Sequence, residues 1–269
     1  MEMTTINELS SLKNRVALIT GGAGHIGFAM AEALAELGAA VAILDNKEEC
    51  CRNRAGQLRE SFDVDAVALE IDLSDDNQIQ RIPREIESHF GRLDILVNCA
   101  ALVGTSALKG WAVPFEQQQS QAWRLAFDVN LTAAFLLSQG CAPLLRASGH
   151  GSIVNIASIY GLVGPDLSIY AGTSMANPAA YGASKAGLLQ LTRYLATVLA
   201  PDIRVNAITP GGVARNQPES FVREYVRRTP LRRMAVEEDF KGAVAYLASD
   251  LSAYVTGQNL IVDGGWTAW

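Results

Sequence analysis

Apolar, β-rich runs alternate along this chain with stretches in which apolar residues recur at every third or fourth position. RVALIT (residues 15–20) predicts a buried strand, and the helical spacing of residues 26–37 predicts a helix that Gly38 ends. AVAILD (40–45) predicts a second strand, followed by a charged helix, and AVALEID (66–72) a third. A helix over 75–90 leads to RLDILVN (92–98), and one long helix over 121–147 leads to GSIVNIAS (151–158). A helix over 178–199 precedes IRVNAITP (203–210), and a helix over 236–249 precedes a last short strand, NLIVDGG (259–265). Strands that are apolar without alternation are covered on both faces, and strands that take turns with helices pair in parallel. The pattern therefore predicts an α/β fold, a doubly wound parallel sheet of about seven strands with helices on both faces. No repeat or low-complexity linker interrupts it, so residues 12–269 are expected to form one domain behind a loose segment, 1–11.

Two stretches break the regularity, 102–120 and 159–178, and each follows the end of a predicted strand. Ligands bind at that end of such sheets, and long loops in a compact domain usually serve binding. These two carry Thr105, Ser106, Ser168, Thr173, Ser174 and Asn177 beside Trp111, Tyr160 and Tyr170.

Composition narrows the function classes. With 49% hydrophobic and 19% charged residues the chain can build a large core. A net charge of -6 without a basic run argues against nucleic acid or an anionic membrane as partner. The apolar stretches read as too short or too interrupted to span a bilayer. The first residues lack the basic start and apolar core of a signal peptide, so a cytoplasmic location is expected. The four cysteines form no CxxC and have no histidine at ligand spacing, which leaves no expected metal site.

The candidate chemistry begins with TGGAGHIG, between the first strand and the first helix. Gly21, Gly24 and Gly27 allow a tight turn and close backbone approach, so that a helix N-terminus can face a pyrophosphate. Asp45 ends the second strand, where its carboxylate can accept from the hydroxyls of an adenosine ribose and would repel a 2′-phosphate; NAD is expected in preference to NADP. Downstream, Tyr181 and Lys185 share one face of a helix at i and i+4. A lysine ammonium beside a phenol favours the phenolate and lowers its pKa from about 10, which suits proton exchange with an alcohol oxygen.

With these motifs in order, the chain resembles the short-chain dehydrogenase/reductase family in its compact form, over about residues 12–265. The resemblance is carried by TGGAGHIG, Asp72-Leu73, NCAA at 98–101, VNL around Asn130, IVNIAS ending at Ser158, YGASK, RVNAITPGG and VDGG. It implies a Rossmann-like fold and a catalytic set of Asn130, Ser158, Tyr181 and Lys185. In that set Tyr181 is the general acid/base, Lys185 holds the nicotinamide ribose and lowers the Tyr181 pKa, Ser158 steadies the substrate oxygen, and Asn130 helps carry a water chain. It also implies a cofactor site of Gly21, Gly24, His25, Ile26, Gly27, Asp45, Asp72, Leu73, Asn98, Ala100, Tyr181, Lys185, Pro210, Gly211 and Val213, with Asp72 and Leu73 flanking the adenine. A homotetramer or homodimer is implied as well, and Trp266 and Trp269 are expected contacts between subunits.

The chain departs from the family pattern in four places. His25 stands where a middle glycine is usual, and Cys99 and Ala101 replace residues of the usual NNAG. Ser158 and Tyr181 stand 23 positions apart, more than is usual, which predicts a surplus loop over the active site. Arg215 replaces a threonine that usually binds the nicotinamide amide, and an arginine there could hold a carboxylate or phosphate of the substrate instead. Polar groups beside aromatic rings in the two loops favour a sugar, sugar acid or amino-sugar derivative as substrate. The alternatives are a 3-oxoacyl-type carbonyl reductase using NADPH and a non-catalytic NAD-binding sensor on the same fold.

Overall fold

The computed structural model describes residues 3–104 and 106–269, so Thr105 lies outside the described residues. The chain opens with α1 (Ile6–Ser10), β1 (Val16–Thr20), α2 (His25–Glu36), β2 (Ala40–Asp45), α3 (Glu48–Phe62), β3 (Ala66–Glu70), α4 (Asp76–Phe90) and β4 (Ile95–Asn98). It continues through α5 (Ser120–Phe127), α6 (Ala133–Ser148), β5 (Gly151–Ile156), α7 (Ala179–Val198), β6 (Ile203–Pro210), α8 (Glu219–Arg228), α9 (Lys241–Ala248) and β7 (Asn259–Val262). All seven strands are parallel, in the order β3-β2-β1-β4-β5-β6-β7. The order reverses between β1 and β4, the point beyond whose strand ends sheets of this kind bind their ligands.

The strands are apolar throughout because alternate side chains serve two cores. Ala17, Ile19, Val41, Ile43, Val97 and Val154 pack with Phe28, Met30 and Leu34 of α2 and Val244 and Leu247 of α9. Their neighbours Val16, Leu18, Leu44, Leu96 and Ile153 face the other way, against Ile79, Ile82 and Ile86 of α4 and Leu137, Cys141 and Leu145 of α6.

Four features depart from the sequence-based expectation. Within the segment expected to be loose, Thr5 and Glu8 form a reciprocal capping box that starts α1. The long helix is not uniform, because a π-helical turn over Asp128–Thr132 joins α5 to α6. Ser120–Ser148 is thereby one continuous helical stretch of 29 residues, long and apolar enough by composition to cross a bilayer. The polar residues Asp128 and Asn130 fall inside it, and in the fold its apolar face is part of the core. Finally, α8 has no counterpart in the predicted elements. Its apolar residues form one stripe, with Phe221 and Tyr225 buried, and its other faces are charged.

Candidate active site

The glycine turn is built by exclusion of side chains. Gly21 has φ +63, and a Cβ there would stand 2.8 Å from the Ala100 Cα; at Gly27 a Cβ would collide with the Gly21 carbonyl oxygen. Gly24 caps α2 in extended conformation, His25 opens the helix at the surface, and Ile26 packs half-buried against the core. Thr20 fastens the turn to the next strand, because its hydroxyl accepts from the backbone N–H of Cys99 (3.0 Å) and Ala100 (3.1 Å). The result is a bare backbone cradle at a helix N-terminus beyond the ends of β1 and β4, a fit for a dinucleotide pyrophosphate.

The other expected cofactor residues lie along the same edge of the sheet. Asp45 ends β2 half-buried, and its carboxylate accepts from the Asn46 N–H at 2.9 Å. Asp72 is exposed and holds Ser74 through both the backbone N–H and the hydroxyl. Leu73 packs its side chain in the core cluster that holds Ile71 and Ile79. Asn98 ends β4, buried, and its amide donates to the Asn155 side-chain Oδ1 at 2.8 Å, while its own Oδ1 has no partner among the described residues. Pro210 ends β6; Gly211 passes so close to Asp263 that a Cβ would meet its Cα at 2.8 Å; Val213 bridges to Ala235.

Past the end of β5, Ser158 starts a 3-10 turn over Ile159–Gly161, and its hydroxyl accepts from the Tyr160 N–H at 3.3 Å. Tyr181 and Lys185 face it from the first turns of α7. Burial pushes the Tyr181 phenol above its ordinary pKa, the hydrogen bond with Ser158 pulls it back, and charge repulsion from Tyr170 adds to the rise. Lys185 is 2% exposed and its ammonium donates to the Ile156 carbonyl at 2.6 Å. Burial brings Lys185 down to about 8, with Cys99 opposing.

Asn130 sits in the π turn, buried. Its Oδ1 accepts from the Leu102 N–H at 2.7 Å, and its amide donates to the Leu102 carbonyl at 3.3 Å and the Ser184 hydroxyl at 3.0 Å. Ser184 in turn donates to the Tyr181 carbonyl at 2.9 Å. Both amide protons are thus engaged, and one carbonyl lone pair remains of the expected water relay. What Asn130 does here is pin the chain after β4 to α7. A π turn widens a helix by one residue and often marks a functional site.

Arg215 is not free to meet a substrate anion, because its guanidinium pairs with Glu237 at 2.7 Å. The same carboxylate lies 3.5 Å from His25 Nδ1, so Glu237 links the loop after β6 to the start of α2. Trp266 is likewise not available as a subunit contact: it is buried and stacked on Tyr225, ring centroids 4.3 Å apart. Trp269 is exposed, with Nε1 donating to the Arg228 carbonyl at 3.1 Å.

Sequence reasoning passed over Thr20, Asn155, Tyr225 and Glu237. Thr20 and Asn155 stand at the polar ends of apolar strands, a signal that was readable. Asn155 passes its amide on to Thr192 of α7 at 2.9 Å, so a buried polar chain ties β4, β5 and α7 together beneath the site. Tyr225, whose hydroxyl accepts from the Gly212 N–H, belongs to the unforeseen α8.

The comparisons with known proteins agree with this geometry. A family model described as enoyl-(acyl carrier protein) reductase matches residues 21–267. The cis-4-hydroxycyclohexanecarboxylate dehydrogenase of Sinomonas cyclohexanicum is 36% identical over 259 residues, 94% of this chain and 97% of that protein. The sorbose reductase of Schizosaccharomyces pombe is 30% identical over 97% of this chain and 99% of that protein. Among solved structures, a short-chain type dehydrogenase/reductase from Mycobacterium marinum superposes with TM-score 0.86 at 28% identity, covering 99% of this chain and 100% of that one. The NADPH-dependent 3-quinuclidinone reductase of Rhodotorula rubra gives TM-score 0.85 at 29% identity, over 100% of this chain and 97% of that one. Sheet order, glycine cradle, the Ser158, Tyr181 and Lys185 cluster and near-complete coverage agree: the chain belongs to the short-chain dehydrogenase/reductase family, oxidoreductases that act on alcohol groups.

Proposed function

We propose that the protein interconverts a secondary alcohol and its ketone with NAD as redox partner, and that the alcohol is a polyol, sugar or sugar acid. The observation that carries this reading is the convergence of Ser158, just past the end of β5, with Tyr181 and the buried Lys185 of α7. The nicotinamide, when bound, supplies and accepts the hydride. The backbone at Gly21, Gly24 and Gly27 would hold the pyrophosphate. Asp45 would accept from the adenosine ribose, a role a 2′-phosphate would oppose, and this favours NAD even though NADPH serves the structural neighbour from Rhodotorula rubra.

Tyr181, raised by burial, carries its proton at neutral pH, so it is ready to donate to a carbonyl oxygen in the reductive direction. In the oxidative direction it must first lose that proton and then take the one from the substrate hydroxyl. Ser158 donates to the same oxygen as its charge changes, a stabilisation that grows toward the transition state. The sorbose reductase among the relatives supports a hydroxylated substrate, as do the polar groups of segment 159–178.

The test is reduced-nicotinamide absorbance with NAD and NADP against sugar acids, polyols, amino sugars, simple secondary alcohols and acetoacetyl thioesters. NAD-linked turnover of a polyol or sugar is expected. Tyr181→Phe is expected to lose at least about a hundredfold in turnover while still binding NAD. Full activity of that variant would refute the assignment of Tyr181, and NADPH-linked reduction of the thioester would replace the substrate class.

A further inference from the structure

The surplus residues between Ser158 and Tyr181 are held in one place. Ile159 and Ile169 are buried in an aromatic cluster with Phe221, Tyr225, Met234 and Trp266. Asp166 pairs with Arg228 at 2.7 Å, and the Ser168 hydroxyl accepts from the same guanidinium at 2.8 Å. Tyr170 packs its ring on Phe221 with centroids 5.3 Å apart. Its hydroxyl therefore has a defined position, 2.7 Å from the Tyr160 hydroxyl and 3.5 Å from the Asn177 amide nitrogen.

Counting protons at this point gives an unequal sum. Two phenols carry two protons, and one of them lies in the bond between the phenols. Asn177 Nδ2 can only donate. Among the described residues no acceptor meets the second phenolic proton. Both rings are half-buried and burial raises both pKa values, so neither phenol sheds that proton near neutral pH. The bond between the phenols can run either way: with Tyr160 donating, Tyr170 accepts from Tyr160 and Asn177 and its own proton is left free, and with Tyr170 donating the free proton is that of Tyr160. Donors feeding one oxygen polarise its own O–H and strengthen the bond it makes. The pair is tied to the site through Tyr160, whose N–H donates to the Ser158 hydroxyl at 3.3 Å and whose carbonyl oxygen would stand 2.9 Å from a Cβ on Gly182, the residue after Tyr181.

We propose that Tyr170, backed by Tyr160 and Asn177, donates its spare proton to a second oxygen of the substrate and so selects alcohols with another oxygen function near the reacting carbon. The proposal rests on the reading in which Tyr181 serves the reacting oxygen, and it gives the surplus loop its use. A site built around a donor rejects ligands that leave it unpaired, because a buried unmade hydrogen bond costs more than a made one contributes.

The experiment compares binding of trans-1,2-cyclohexanediol and cyclohexanol to the complex of the full chain with NADH, read by nicotinamide fluorescence. The two probes share the ring and differ by one hydroxyl. The diol is expected to bind about fivefold to tenfold more tightly. Tyr170→Phe keeps the ring that packs on Phe221 and is expected to abolish that preference; Tyr160→Phe, which removes only the supporting donor, is expected to reduce it. Equal affinities in the unaltered protein, or a preference that survives Tyr170→Phe, would overturn the proposal. Should Tyr170→Phe fail to fold by circular dichroism, the Tyr160→Phe ratio decides, since an unchanged ratio there also overturns it. The readout needs no turnover, so a wrong role for Tyr181 would show as activity in Tyr181→Phe without altering the binding ratio.

Discussion

Tyr181 and Lys185 are adjacent on α7, yet each takes its character from another element. Lys185 is tied to the carbonyl of Ile156 at the end of β5, and Tyr181 is governed by burial, Ser158 and Tyr170. The pH dependence follows from those neighbours. A phenol raised above its usual range must lose a proton before it can act as base, so alcohol oxidation should climb with pH through and above neutrality. Ketone reduction uses the protonated phenol and should decline over the same alkaline range. Ser158 lowers the phenol, so Ser158→Ala should move the oxidative limb to higher pH as well as slow the reaction. A profile of kcat/KM against pH for both directions checks this, and a limb that stays in place would deny Ser158 its influence. At the end of β2, Asp45→Ala removes the group expected to repel a 2′-phosphate. The ratio of NAD to NADP efficiency should then fall by about tenfold or more, read from steady-state kinetics. The glycines and the Tyr–Lys spacing were readable as residues, because each answers to a local rule: an absent Cβ, or two side chains on one helical face. The partners of Arg215 and Trp266 were not, since Glu237 and Tyr225 come to them from elsewhere in the fold.

At the scale of elements, α8 is the piece that steadies the loop over the site. It supplies Phe221 and Tyr225 to the aromatic cluster, and Arg228 to Asp166 and Ser168. Ion pairs of partial exposure contribute modestly, about 0.5–1 kcal/mol, so Arg228→Ala should leave the fold intact while loosening segment 159–178. Amide exchange in that segment should quicken by a few-fold, and KM should rise more than kcat falls; exchange unchanged from the parent chain would deny Arg228 its anchoring part. The helix went unpredicted because its apolar stripe is short and its other faces are highly charged. The strands were predicted closely for the opposite reason: burial on both faces leaves an uninterrupted apolar signature, as in residues 40–45 and 203–210. The bonds of Asn130 in the π turn could not be foreseen, because its side-chain amide meets Leu102 and Ser184 only when the fold brings them to it.

At the scale of the molecule, the faces left uncovered are specific. Leu260 and Ile261 of the edge strand β7 are 37% and 44% exposed, and on α6 and α7 Phe135 and Tyr194 rim a shallow groove of about 500 Å³. Exposed apolar surface of this kind marks association. Sedimentation should therefore give a mass of two or four times 28.8 kDa, and Ile261→Asp should shift it toward one. A single-chain mass for the parent protein at micromolar concentration would remove the expected oligomer. By itself the sequence determined what depends on neighbours along the chain: the alternation of strands and helices, the bare glycine turn, and a tyrosine and lysine on one helical face. Apolar patterning and missing side chains act over a few residues, so they are written locally. Only the tertiary structure decided which groups meet across the sheet ends. There Lys185 found Ile156, Arg215 found Glu237, and the surplus loop brought the Tyr170 hydroxyl to that of Tyr160. Such meetings join residues far apart in the chain, and their geometry is fixed by how the layers pack.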